Sequence, residues 1–151
     1  MLKRILLFFV LNATALSIGS LYTKTAVAGE WYTSLNKAPW TPPGYMFGIM
    51  WSIIMMCFAI YMAYVIPKVD LKKVIILYTI QWILNVGWNP IFFYYELPLL
   101  GLCIIVLLTI TITLILLKYW NSLKFKSILI VPYFLWLLIA TSLNAYIVFM
   151  N

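Results

Sequence analysis

A chain of 151 residues that is 66% hydrophobic, 18% aromatic and only 9% charged has too few polar side chains to cover a water-facing surface, and too much apolar content to stay unfolded. Ten Lys and Arg stand against three Asp and Glu, and mean hydropathy is +1.07. Histidine is absent, which removes Ser-His-Asp and Cys-His catalysis, imidazole acid–base chemistry and the commonest zinc and haem ligands.

The charges divide the chain into five uncharged stretches, each long enough to cross about 30 Å of hydrocarbon as a helix of roughly 20 residues. The first is Ile5–Thr23. Lys3-Arg4 ahead of it and Ala26-Val27-Ala28 behind it resemble a signal peptide, but the apolar run exceeds the roughly 7–15 residues of a signal core, so it is read as a span. Asn12, Ala15 and Gly19 fall at i, i+3 and i+7, a small and polar stripe suited to close helix packing.

The loop from Lys24 to Gly44 carries Trp31, Tyr32 and Trp40 and is stiffened by Pro39, Pro42 and Pro43. A connector this long and this aromatic is expected either to fold over the bundle as a lid or to lie at headgroup depth as an aromatic belt. The second span follows Pro43 and runs to Pro67, with Gly48, Trp51, Ser52, Met55, Ala59 and Met62 on one face.

The third span, Val74–Tyr95, sets Gln81, Asn85, Trp88 and Asn89 at i, i+4, i+7 and i+8, a polar and aromatic face that should point inward. Hydrogen bonding between helices accounts for Gln81 and Asn85 as well as a pocket does. Pro90 cannot donate to the carbonyl of Val86, which predicts a bend. After the fourth span, Leu97–Leu117, the fifth, Ser127–Asn151, repeats an inward stripe with Tyr133, Trp136, Ala140 and Asn144. Trp51 and Trp136 each lie about two turns into spans that start on opposite sides, so they differ in depth and meet only if the helices tilt.

Continuous apolar runs favour helices over a barrel, because backbone in lipid must satisfy its own hydrogen bonds. The expected architecture is all-α, a single transmembrane domain over residues 1–151: an integral membrane bundle of five transmembrane helices whose first loop acts as a lid. Five is an odd number and no repeat is visible, which disfavours an inverted-repeat transporter. Eight of the ten Lys and Arg lie on the N-terminal, 68–73 and 118–126 side, placing the N-terminus in the cytoplasm. Cys57 and Cys103, both within spans, are expected to be free, buried thiols. The stripes together describe a cavity of flat aromatics, Met and amides without ionisable groups, suited to a hydrophobic, metal-free ligand and unsuited to an ion pathway. No metal, cofactor or nucleic-acid partner is expected.

Three separated motifs carry a family resemblance. They are Trp31-Tyr32, Leu35, Lys37, Pro39, Trp40, Thr41-Pro42-Pro43 and Trp51; then Gln81, Leu84-Asn85, Trp88, Pro90 and Phe92-Phe93; then Pro132-Tyr133, Trp136, Ala140-Thr141 and Leu143-Asn144. In this order they resemble the TspO/MBR, or translocator-protein, family. The resemblance implies a five-helix bundle, often a homodimer, whose first loop closes over a pocket for porphyrins such as protoporphyrin IX and, in some members, sterols or synthetic ligands. It further implies light- and oxygen-dependent degradation of protoporphyrin IX, with Trp51 and Trp136 at the positions of the two implicated tryptophans. Ligand contacts are then expected from Trp31, Trp40, Pro42, Gly48, Trp51, Gln81, Asn85, Trp88, Tyr133, Trp136, Ala140 and Asn144. The alternative is a carrier or stress sensor for tetrapyrroles or similar ligands that performs no chemistry. Two departures stand out: no Lys or Arg follows Lys126, so Tyr146 lacks the basic partner of the family's proposed sterol motif, and Lys37-Ala38-Pro39 separates a Lys and Pro that are adjacent in many relatives. The composition, with no Arg-rich leader, leans towards a bacterial cytoplasmic membrane.

Overall fold

The computed structural model describes residues Met1–Asn151 and is all-helical, without strands. In chain order the helices are α1 (Leu2–Ala26), the short α2 (Glu30–Ser34), α3 (Gly44–Val65), α4 (Leu71–Asn89), α5 (Pro98–Leu123) and α6 (Val131–Met150). All but α2 are long and apolar enough to span a membrane. α3 begins directly after Pro42-Pro43, and prolines occupy the first turns of α5 and α6, where a missing N–H costs nothing. Asp70 caps α4, accepting a hydrogen bond from the Lys72 amide at 3.0 Å.

Several boundaries differ from the sequence reading: α1 extends three residues beyond Ile5–Thr23 at each end and α4 starts three residues before Val74. α5 continues past Lys118 to Leu123, because a lysine near a helix end can extend its amine towards the polar boundary while its stem stays apolar. A 3-10 stretch, Lys124–Leu129, then delays α6 to Val131. At Pro90 the helix does more than bend: it widens into one π turn over Pro90–Tyr94, in which the Tyr95 amide donates to the Pro90 carbonyl at 2.9 Å.

α1 packs on α3 and α4, α5 packs on α4 and α6, and α3 meets α6, giving the cyclic order α1–α3–α6–α5–α4. Ile54, Phe58, Tyr61, Ile112, Tyr133 and Leu137 form the buried centre. Leu7, Ile53, Ile83, Leu107, Leu114 and Leu138 point outward, as a lipid solvent permits. The residues α1 buries are Phe8, Asn12, Ala15 and Gly19, which contain the predicted stripe. Asn12 donates to the Met55 carbonyl at 2.9 Å and accepts from the Tyr78 hydroxyl at 2.8 Å, tying α1 to α3 and α4. A Cβ on Gly19 would lie 2.7 Å from Asn89 Nδ2, so the absence of a side chain lets α1 and α4 approach there. Cys57 and Cys103 are free; Cys57 is half-buried, whereas Cys103 is exposed on the apolar perimeter and not buried.

The loop between α1 and α3 defines one end of the bundle, where Lys24 and Lys37 are balanced by Glu30 and Glu96. The remaining eight basic residues and Asp70 lie at the other end, which therefore carries the whole formal charge of +7.

Candidate functional site

The segment from Asn36 to Phe58 runs antiparallel beside α6, and this geometry positions the site. The Asn36 amide donates to Asn151 Oδ1 at 2.8 Å, and Asn151 Nδ2 donates back to the Asn36 carbonyl at 3.2 Å. Next, Trp40 Nε1 donates to Ser142 Oγ at 3.2 Å and its ring meets Tyr146 edge-on at 5.5 Å. Deeper in the bundle, Phe47 meets Trp136 at 5.5 Å and Trp51 meets Tyr133 at 5.8 Å. The loop thus descends along α6 before α3 begins. That descent leaves Trp51 about one helical turn deeper than Trp136, which is level with Phe47, and brings both into one cavity.

This cavity has a volume of about 810 Å³, within the range of roughly 300–1,000 Å³ typical of small-molecule sites. Of the residues singled out in the sequence, Pro42, Gly48, Trp51, Asn85, Trp88, Trp136, Ala140 and Asn144 line it. The other four lie outside the lining. Trp31 packs on Phe92 at 5.7 Å within the lid, and Trp40 sits on the flank of α6, 55% exposed. Gln81 and Tyr133 are buried in a network in which Asn85 Nδ2 donates to the Tyr133 hydroxyl at 2.6 Å and that hydroxyl donates to Gln81 Oε1 at 3.1 Å.

The amides are largely engaged in holding helices together. Trp88 Nε1 donates to Asn144 Oδ1 at 3.1 Å, and Asn144 Nδ2 donates to the Pro98 carbonyl at 3.0 Å. What the walls offer is aromatic: Trp51, Trp88, Trp136, Phe47, Phe92 and Phe93. Trp136 is 3% exposed and its Nε1 has no acceptor, unlike the bonded indole of Trp88. The π turn sets Phe92 stacked on Trp88 at 5.1 Å and Phe93 against Tyr32 at 5.4 Å, so it joins the wall to the lid. Tyr32 lines the cavity roof; burial raises its phenol above the ordinary value of 10.0, and Lys37 Nζ lies 4.6 Å from its ring centroid.

Sequence reasoning did not single out Gly19, Thr23 and Lys24 of α1 as part of a site, yet they line this cavity. A signal existed, since Ala15, Gly19 and Thr23 continue the packing stripe at intervals of four. Leu143 and Ile147 likewise extend the α6 stripe, and Phe92 and Phe93 stand in the quoted motif without a role.

Comparison with known proteins accords with this architecture. The TspO/MBR family profile matches residues 7–150. The chain is 36% identical to the "Tryptophan-rich protein TspO" of Chlorobaculum tepidum, over 88% of this chain and 86% of that one. It is 25% identical to the "Tryptophan-rich sensory protein" of Cereibacter sphaeroides (76% and 73%), and 29% identical to the human "Translocator protein" (85% and 80%). The chain belongs to the TspO/MBR family and is an integral membrane protein.

Proposed function

We propose that this TspO/MBR chain binds porphyrins such as protoporphyrin IX, and similar hydrophobic ligands, in the cavity beneath its loop, and degrades the bound porphyrin in light and oxygen. The observation that carries this reading is the convergence of Trp51, Trp88 and Trp136, from three different helices, on one cavity of about 810 Å³. A flat macrocycle finds stacking surfaces there, and each aromatic contact is worth about 0.5–1.5 kcal/mol beyond area burial. Trp51 and Trp136 are the reacting side chains in this reading. An indole beside an excited porphyrin can give it an electron, oxygen being the terminal acceptor.

A second reading is carriage or sensing of tetrapyrroles without chemistry; the human relative is called a translocator protein and the Cereibacter relative a sensory protein. Protoporphyrin IX mixed with the detergent-purified protein, followed by absorbance in light and in darkness, separates the two. A new absorbing species formed only in light, and lost in Trp51→Phe or Trp136→Phe variants that still bind, is the expected result. Equal fading in wild type and both variants leaves only binding or carriage.

The basic end is proposed to face the cytoplasm of a bacterial cell, with the N-terminus inside and two copies associating as a homodimer. Impermeant thiol labelling of Asn36→Cys and Phe125→Cys in sealed vesicles reads the orientation, and light scattering of the detergent complex reads the stoichiometry. Labelling at residue 125 from outside the cell, or a monomeric mass, would overturn the respective statement.

A further inference from the structure

The cavity is apolar and aromatic at depth, and although Glu30 and Glu96 balance the formal charge of its lid end, the charged side chains that line the cavity itself are both cations. Lys24, from the last turn of α1, and Lys37, from the loop, are the charged residues among its lining, and no Asp or Glu lines it. The one ion pair in the molecule, Lys73 with Asp70 at 3.6 Å, lies at the opposite end, so neither cavity lysine is paired with a carboxylate. Lys37 is half-buried and held, its amine 3.5 Å from the Thr33 carbonyl and 4.6 Å from the Tyr32 ring centroid. Lys24 is exposed and has no side-chain hydrogen bond or aromatic partner. Two cations from separate elements lining one apolar cavity suit anions attached to an apolar body. A carboxylate there would pair with ammonium donors where apolar walls reduce screening by water.

We infer that the cavity selects flat hydrophobic ligands that carry carboxylates along one edge, with Lys24 and Lys37 holding that edge at the lid end while the ring lies deeper, against Trp51, Trp88 and Trp136. This rests on the ring-binding reading above and adds to it an orientation and a selectivity. Lys24 and Lys37 act here as specificity-determining residues. They take no part in any chemical step.

The test compares protoporphyrin IX with its dimethyl ester, which has the same ring without the charges, by fluorescence titration in non-ionic detergent. The free acid should bind wild type about tenfold or more tightly than the ester, the scale of one charge-assisted hydrogen bond. A Lys24→Gln/Lys37→Gln double variant should bind the acid as it binds the ester, and Lys24→Arg/Lys37→Arg should restore the preference. Raised salt should narrow the gap in wild type alone. Equal affinity for acid and ester in wild type overturns the inference but leaves ring binding intact, whereas failure of both ligands to bind overturns ring binding and the inference with it. If the double variant weakens acid and ester equally, the lysines hold the lid and not the ligand. Oleate offers a carboxylate on a flexible chain; displacement of the acid by oleate at equal concentration would assign the lysines to lipid carboxylates and overturn the ring-ligand form.

Discussion

Gly48 gives the most direct handle on whether ligand occupies this cavity. It lies one turn before Trp51 and Ser52 on α3 and lines the cavity, and a Cβ built on it meets no atom within 4 Å. Replacing it with Leu therefore removes no packing, and relieves the cost of Gly inside a helix, about 1 kcal/mol relative to Ala. Stability should hold or rise by up to that amount. The new side chain instead takes space a ring would use beside Trp51. A ring pushed off one indole forfeits about 0.5–1.5 kcal/mol of aromatic contact, and excluding roughly 60 Å² of apolar area at about 25 cal/mol per Å² forfeits about 1.5 kcal/mol more. The sum, about 2–3 kcal/mol, is a loss of affinity of roughly 30- to 150-fold. Gly87 supplies the control: its Cβ direction is equally open but it does not line the cavity, so Gly87→Leu should bind as wild type does. Fluorescence titration of protoporphyrin IX, with thermal unfolding alongside, reads both effects. A Gly48→Leu protein that unfolds no earlier than wild type and binds with unchanged affinity would refute placement of the ligand in this cavity.

Two further outcomes follow from the polar groups around the site. Tyr133→Phe keeps the ring against Trp51 but strands Gln81, which is 1% exposed and outside the cavity, while Asn85 can still be reached from within it. Interhelical hydrogen bonds in membranes contribute about 0.6 kcal/mol on average and at most about 1.7, so thermal unfolding in detergent should show a loss of about 1–2 kcal/mol with ligand affinity changed less than about twofold. An unchanged unfolding profile would mean that the network adds nothing. The second concerns Tyr32, whose phenol is raised above 10.0 by burial. Neutral tyrosine therefore favours the closed lid, an effect fully present below the ordinary value and lost as pH climbs through the raised one. Ligand dissociation should be flat from neutral pH to about 10 and accelerate above it, and Tyr32→Phe should abolish the acceleration that tyrosine contributes; equal acceleration in the variant would assign it to other groups.

The spans were legible because a charge inside hydrocarbon is costly, so the positions of thirteen charged residues mark where helices leave the membrane. Lys118 misled for a related reason: its side chain is long enough to carry its charge to the boundary while the backbone stays helical, so charge position bounds a helix only to within a turn or two. Stripes on single helices were legible too, and the Asn12, Ala15 and Gly19 face of α1 is buried as its spacing indicates. What a stripe meets was not legible. Tyr133 and Trp136 stand one turn apart on α6, yet Tyr133 is enclosed in a hydrogen-bonded network and Trp136 lines the cavity. Trp31 and Trp40 share a loop, but one turns onto Phe92 and the other onto the flank of α6. The loop showed features of both expected forms, with Tyr32, Lys37, Thr41 and Pro42 roofing the cavity and Trp40 half exposed beside α6.

Composition, charge spacing and helical periodicity by themselves determined that this protein is a bundle of five membrane helices, and that α1, α3, α4 and α6 each turn a stripe inward. These properties follow from transfer of single groups between water and hydrocarbon and from a period of 3.6 residues, both of which are local. The tertiary structure alone decided that the loop descends along α6 before α3 starts, bringing Trp51 within about a turn of Trp136, and that Lys24 and Lys37 line the same cavity. Relative height and convergence depend on how separate helices slide and pack against one another. No single stretch of sequence encodes that, because the contacts that set it join residues as far apart as Asn36 and Asn151.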